Sequence, residues 1–267
     1  MIPYFQWQSF GVGPVVIQVW GLFVALGMLL GLYLSYRQAL RRGLDAQAMS
    51  DAASWALLWA IVGGRLLYVL AYDIGLLAEP LSIFRIWDGG MSALGGFLGG
   101  GLSFFVFCRR RCLPALDYLN AAAYGLPWGY AVGRIGCFLI HDHPGIASGA
   151  WLAVNFPGGP RLDLGLFHAF LGLAIGLAFW RLEKAAAGRP VPYLALFLII
   201  YGFGRLALDF LRSWDPAVSD ARLWGLTPAQ ILSLPMVFAG SWLLDNPPHR
   251  TVWQKAKCAV RRLRDRF

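Results

Sequence analysis

Arg65, Arg134 and Arg205 each sit inside a stretch of this chain that is otherwise apolar enough to cross a bilayer. A guanidinium cannot shed its proton, and holding one at membrane depth costs roughly 2.5–3.5 kcal/mol even on the lenient insertion scale. Such a residue needs a counter-charge, a route for its head to reach the interface, or an anionic ligand. The stretch around Arg134 runs on into further ionisable groups: Gly133-Arg134-Ile135-Gly136-Cys137-Phe138-Leu139-Ile140-His141-Asp142-His143-Pro144. Pro144 disfavours helical geometry at His143, so the helix is expected to end by then, with both imidazoles projecting from a turn or an extended segment. His141, Asp142 and His143 then offer a general base, a carboxylate to orient it and a second imidazole, within reach of Arg134 if the helix end folds back. Other readings fit the same residues. The imidazoles could hydrogen-bond lipid phosphates at the interface, Asp142 could be a plain cap, or Cys137, His141 and His143 could join Asp142 around a metal. No second Cys/His cluster supports a metal, so neither a metal nor an organic cofactor is expected.

Two further groupings carry charge in apolar surroundings. Arg205 and Asp209 are four apart and share a helix face, as a structural pair or as part of an anion site. Arg65 and Tyr68 also share a face and would reach into a bundle together. Arg85 belongs to Phe84-Arg85-Ile86-Trp87-Asp88-Gly89-Gly90-Met91, which reads as an interfacial re-entry with Trp87 at headgroup level. Small residues mark close helix approach: Gly95 and Gly96 in one apolar stretch, and Gly125, Gly129 and Gly133 in another. Gly133 adjoins Arg134 and would leave room there for a ligand.

The elements that must position these groups are membrane helices. With 58% hydrophobic and only 14% charged residues in 267, and a mean hydropathy of +0.57, the chain has too little polar surface to cover a soluble globule. Seven windows are long enough to span: Pro14 to Tyr36, Ala53 to Tyr72, Met91 to Phe107, Leu116 to Ile135, Leu164 to Trp180, Tyr193 to Leu211 and Pro228 to Leu244. The expected fold class is therefore all-α, a polytopic seven-helix transmembrane bundle. Asn120, Gly125, Pro127 and Gly129 predict a kinked or broken fourth helix. Most of the 23 Lys and Arg follow the first, third, fifth and seventh windows, which places those connections and the C-terminus in the cytoplasm and the N-terminus outside. The net charge of +9 then reads as topology and anionic-lipid affinity, not nucleic-acid binding. Met1 to Gly13 lacks a basic leader, so the first helix is expected to be its own insertion signal. Residues 1–267 read as one membrane-embedded domain, with 251–267 a basic amphipathic cytoplasmic tail.

Five strings in collinear order carry a resemblance: Gly-Gly-Arg-x-x-Tyr-Val-Leu at Gly63 to Leu70, Phe-Arg-Ile-Trp-Asp-Gly-Gly-Met-Ser at Phe84 to Ser92, Gly-Arg-Ile-Gly-x-Phe at Gly133 to Phe138, Tyr-Gly-x-x-Arg at Tyr201 to Arg205, and Gln-Ile-Leu-Ser-Leu-Pro-Met at Gln230 to Met236. Together they resemble the bacterial prolipoprotein diacylglyceryl transferase family from about Val12 to Leu244. The resemblance implies a seven-helix inner-membrane enzyme with its N-terminus outside. Such an enzyme moves the diacylglyceryl group of phosphatidylglycerol onto the cysteine thiol of a prolipoprotein lipobox, forming a thioether and releasing glycerol phosphate. It implies that Arg134 and Arg205 surround the lipid phosphate, a task for which bidentate guanidinium groups are suited.

The sequence also departs from the family's pattern. The histidine of the family's His-Gly-Gly motif is replaced by Leu94, before Gly95 and Gly96. In Gly-Arg-x-Gly-Asn-Phe-x-Asn-Gly-Glu, Cys137 and Ile140 replace the asparagines, His141 the last glycine and Asp142 the glutamate. Trp20 stands for a first-span tyrosine, and the His-Pro-Ser-Gln-Leu-Tyr-Glu stretch survives faintly as Leu166-Phe167-His168. The expected site therefore has His141, Asp142, His143, Arg134 and Arg205 as the catalytic set. Arg65, Arg85, Gly95, Gly96, Gly133, Tyr68 and Asp209 are expected around the substrate. The expected partners are a phospholipid, a prolipoprotein or other acceptor, and the membrane, with no nucleic acid. A divergent transferase with another acceptor, or a noncatalytic lipid-binding protein, are the alternatives.

Overall fold

The computed structural model describes residues 1–71, 73–85, 90–214, 222 and 224–246. Among them are eight α-helices: α1 (Val19–Arg41), α2 (Ala46–Ala71), α3 (Pro80–Ile83), α4 (Ala93–Arg110), α5 (Ala115–Ile140), α6 (Leu164–Ala185), α7 (Tyr193–Asp209) and α8 (Pro228–Asp245). There are also five strands, β1 (Ser9–Val12), β2 (Val15–Gln18), β3 (Pro144–Ala147), β4 (Val154–Phe156) and β5 (Gly159–Asp163). The expectation of an all-α chain is thus corrected. β1 and β2 form an antiparallel hairpin, and β3-β5-β4 an antiparallel sheet. Both lie in segments that connect or precede helices, where backbone N–H and C=O groups have no helical partner and pair laterally instead. The first apolar window begins in strand β2 because hydropathy sums apolar residues without regard to their period. The re-entry expected around Trp87, and the tail from Thr251 to Phe267, lie outside the described residues.

Seven of the helices, every one except the four-residue α3, overlap the apolar windows. Three of them, α1, α2 and α6, are long and apolar enough to cross a membrane by length and composition. Outward-facing side chains such as Leu29, Phe97, Leu102 and Phe238 are largely exposed, which is the apolar exterior of a membrane protein. α5 runs unbroken through Pro127, where a kink or break was expected.

The chain forms two compact units. The first comprises Met1–Gln38 and the described residues from Asn120 onward. Here α1 packs on α5 through facing glycines: a Cβ on Gly129 would lie 2.5 Å from the Gly27 carbonyl oxygen, and one on Gly31 would lie 3.5 Å from that of Gly125. Such contacts pull backbones together in a medium where apolar burial offers no drive. Ala123, Tyr124, Ile175, Phe179 and Tyr193 form a core between α5, α6 and the start of α7. Asn120 ties that start down, donating to the Val191 carbonyl at 2.9 Å and accepting from the Leu194 N–H at 2.9 Å. α8 opens on a capping box, Thr227 with Gln230, and packs on α7.

The second unit comprises Ala39–Leu119. Its α2 and α4 meet along Gly63, Gly95, Gly99 and Gly100, and a Cβ on Gly99 would lie 3.2 Å from the Gly63 Cα. Gly101, one residue on, faces open space. Gly99→Leu is expected to destabilise the solubilised protein by about 1–3 kcal/mol through overpacking, while Gly101→Leu leaves it unchanged. Thermal unfolding in detergent measures both, and equal losses would refute the assignment of this face.

Candidate functional site

The C-terminal end of α5 is set by His141. The helix stops at Ile140, and His141 takes a left-handed backbone with φ of 54°. For a residue with a Cβ this costs about 1–2 kcal/mol. Asp163 holds it there: its Oδ2 lies 2.6 Å from His141 Nδ1, and neither side chain is exposed. The rings of Tyr4, Phe5, Phe138 and Phe156 surround the imidazole, with centroids 4.8–5.6 Å apart where they meet it or each other. Asp163 also caps α6, accepting from the Leu166 N–H at 3.3 Å. Burial pushes its carboxyl above the ordinary range, and the bonds from His141, Leu166 and Gly165 pull it partly back.

Below this latch lies a cation cluster. Arg134, one and a half turns before the helix end, lies with its guanidinium over the Tyr130 ring, 5.1 Å from the centroid. Its guanidinium also donates to Cys137 Sγ at 3.9 Å. Among the described residues no carboxylate comes within ion-pair distance of it. Arg205 and Arg212, by contrast, share Asp209, at 3.5 and 3.6 Å from its Oδ1. Asp209 is fully buried and accepts from the Thr227 hydroxyl on its other oxygen, so it joins the end of α7 to the start of α8. Arg205 also donates to Nε2 of the buried His168 on α6. Tyr201, packed edge-on against Tyr130 at 5.2 Å, closes the group. A Cβ on Gly133 would meet nothing within 4 Å, so space remains beside Arg134. Arg134 and Arg205, with Asp209 the one buried carboxylate paired to either among the described residues, make a site that attracts an anion.

Asp142 and His143 follow the left-handed turn and lie partly open, with side chains 31% and 25% exposed. Asp142 hydrogen-bonds His143 Nδ1, which leaves His143 Nε2 for a substrate proton. Asp142 therefore orients His143, while His141, expected to share that role, is turned to Asp163. A cleft of about 310 Å³ lies over this helix end, lined by Gln6, Gln8, Gln18, Trp20 and Asp142 among others. The segment around Arg212 is sewn to the same region: the Ile146 N–H donates to the Leu211 carbonyl at 2.9 Å, and Arg161 reaches Ser213 Oγ at 3.2 Å.

The remaining expected residues belong to the second unit and have other partners there. Arg65 is buried and donates to the carbonyls of Ser82, Ile83 and Gly90 at 2.8–2.9 Å. The guanidinium therefore braces backbone on either side of residues 84–89. Tyr68 lies under that guanidinium, 5.8 Å from its ring centroid, and its ring faces Gly90. Gly95 packs against Gly63 and Leu67, and Gly96 approaches the Ala60 carbonyl. Arg85 is exposed.

The sequence matches the prolipoprotein diacylglyceryl transferase family over residues 8–245. The chain belongs to that family. It is similar to the phosphatidylglycerol–prolipoprotein diacylglyceryl transferase of Nitratidesulfovibrio vulgaris (strain DSM 19637 / Miyazaki F), at 34% identity over 87% of this chain and 90% of the relative. Relatives of the same name from Chromohalobacter salexigens and Brucella ovis are each 32% identical, covering 87% and 94% of this chain and 88% and 92% of their own lengths.

Against the diacylglyceryl transferase motif, His141 stands where the pattern carries glycine, and the structure places this residue in the backbone region that glycine favours. The ion pair to Asp163 and the aromatic enclosure offset the cost. Asp163 was not among the expected site residues, although a short acidic residue directly before the apolar run of α6 is a cap signal. Tyr130 and Tyr201 were also missed. Each lies four residues before an arginine, Arg134 and Arg205, a spacing that brings ring and guanidinium to one helix face. His168, in the faint remnant of a longer motif, gains meaning only through its contact with Arg205.

His141→Ala strands a buried carboxylate and is expected to cost about 3 kcal/mol. Adding Asp163→Asn removes that charge while keeping a helix cap, so the double variant recovers most of the loss. Unfolding temperatures of the three proteins in detergent decide this, and no recovery in the double variant would refute the latch.

Proposed function

We propose that the chain is a multi-pass enzyme of the bacterial cytoplasmic membrane that moves the diacylglyceryl group of phosphatidylglycerol to the lipobox cysteine thiol of prolipoproteins. The names of its relatives support the substrates and the reaction. The single observation that carries the site is Arg134, a cation among apolar helices that the described residues do not neutralise. On this reading the chain is one membrane-embedded domain with seven crossings, its N-terminus outside and its basic tail on the cytoplasmic side, as the placement of Lys and Arg suggests.

In the reaction, the acceptor sulfur attacks the glyceryl carbon that bears the phosphate. The carbon–oxygen bond to phosphate breaks, and glycerol phosphate leaves with the electron pair. Arg134 holds the phosphate and stabilises the charge that builds on it, with Arg205 adding a second guanidinium whose charge is partly spent on Asp209. The thiol proton goes to His143 Nε2, with Asp142 holding the ring through Nδ1. His141 serves as a positioning residue, since its Nδ1 is committed to Asp163. Asp209 keeps Arg205 and Arg212 in place, and Gly133 leaves the space the headgroup needs.

Purified protein, phosphatidylglycerol and a lipobox peptide test this directly, with mass spectrometry reading the thioether product. Arg134→Ala is expected to lower the rate by about a hundredfold or more, as loss of a preorganised charge-stabilising donor does. Arg134→Lys recovers little, because the paired N–H geometry is lost. His143→Ala is expected to lower the rate by about 10²-fold. The absence of any thioether product from the wild-type protein would overturn the reading.

A further inference from the structure

Cys137, Asp142 and His143 offer one ligand atom each, and these atoms all lie within 4.8 Å of one another. We propose that they form a binding site for one thiophilic divalent cation of the zinc class. Thiolate, carboxylate and imidazole are the donor types zinc accepts, and three protein ligands leave a fourth position open. Tetrahedral ligands around zinc stand roughly 3.5 Å apart, given bond lengths of about 2.0–2.3 Å. The widest separation therefore has to close by at most about 1.3 Å while the Asp142–His143 hydrogen bond opens to admit the ion, and both of those side chains are partly exposed and able to rotate.

The fold supplies the convergence. Cys137 is buried in the last turn of α5, and the left-handed turn at His141 sends the chain back so that Asp142 and His143 come over that turn. The latch to Asp163 holds this path while taking His141 out of the ligand set. The site is thus three-membered, not the four-residue set the linear sequence suggests. Around the sulfur, Arg134 and the side chain of Trp20 both hydrogen-bond Cys137 Sγ. Zinc binds the sulfur as thiolate, so the thiol proton leaves as the metal enters. A thiolate and a carboxylate together balance a dication. Occupancy would take the Asp142–His143 pair away from a proton, so on the mechanism above the ion is a regulator of the site. The binding itself does not depend on that mechanism.

Cobalt(II) chloride, titrated into the full-length protein in detergent, is the probe. The expected result is a near-ultraviolet band from thiolate-to-cobalt charge transfer, saturating at one ion per chain and lost when zinc is added. Cys137→Ser abolishes the band. His143→Asn weakens cobalt binding by about tenfold or more, since even loss of a supporting outer-shell contact costs that much. Both variants are checked by gel filtration for a monodisperse, folded protein. A wild-type protein without the band, or a band that persists in folded Cys137→Ser, overturns the site. Neither outcome bears on thioether formation, so the two proposals fail separately.

Discussion

The first unit is organised by an imbalance of charge in a place where charge is expensive. Arg134, Arg205 and Arg212 are held among helices, and Asp209 is the buried carboxylate set against two of them. In low dielectric this imbalance is felt strongly, and it can be kept only where the remaining helices are too well packed to let it relax. Glycine contacts between α1 and α5, the aromatic core of α5, α6 and α7, and the α7–α8 contact supply that packing. Tyr130 contributes an electron-rich face to Arg134 in place of a counter-ion. On the function proposed above, an anionic headgroup is the partner this arrangement takes.

The strained end of α5 depends on a different pair. His141 and Asp163 are separated by 22 residues in the chain, yet their contact fixes the helix end and the α6 cap together. A backbone geometry that glycine adopts freely is here imposed on histidine and held by an ion pair and a ring of aromatics. The N-terminal segment adds to the same closure, with the Trp7 N–H donating to the Leu139 carbonyl and the Ile2 N–H to that of Ala153. The consequence is placement: Asp142 and His143 are presented beside Cys137 and not along an extended loop.

Several of the departures from the family pattern lie together at the end of α5. Cys137, His141 and Asp142 replace an asparagine, a glycine and a glutamate within six residues, and Trp20 reaches the same sulfur from α1. Arg134 and Arg205, the arginines that the resemblance assigns to the phosphate, are unchanged while the groups around them are exchanged. On the proposed reading, a scaffold that grips one headgroup carries a different proton-handling set. It can also carry a set of donors with an affinity for metal that the family's amides and glycine would not have.

Composition and charge spacing were sufficient to show a helical membrane protein, because apolar length and the placement of Lys and Arg are properties of the linear chain. The collinear motifs were sufficient for the family, and Arg134 stood out because a cation in an apolar run is anomalous on sight. What the linear chain could not show is which partner each charge takes. Arg65 lies in an apolar run as Arg134 does and was expected beside the substrate, yet its guanidinium donates to the backbone carbonyls of Ser82, Ile83 and Gly90. His141 looked like the partner of Asp142 next to it, yet it belongs to Asp163. Neighbours in sequence compete with neighbours brought by packing, and a buried charge goes to whichever oxygen the fold places within about 3 Å of it. That choice is made by tertiary structure alone.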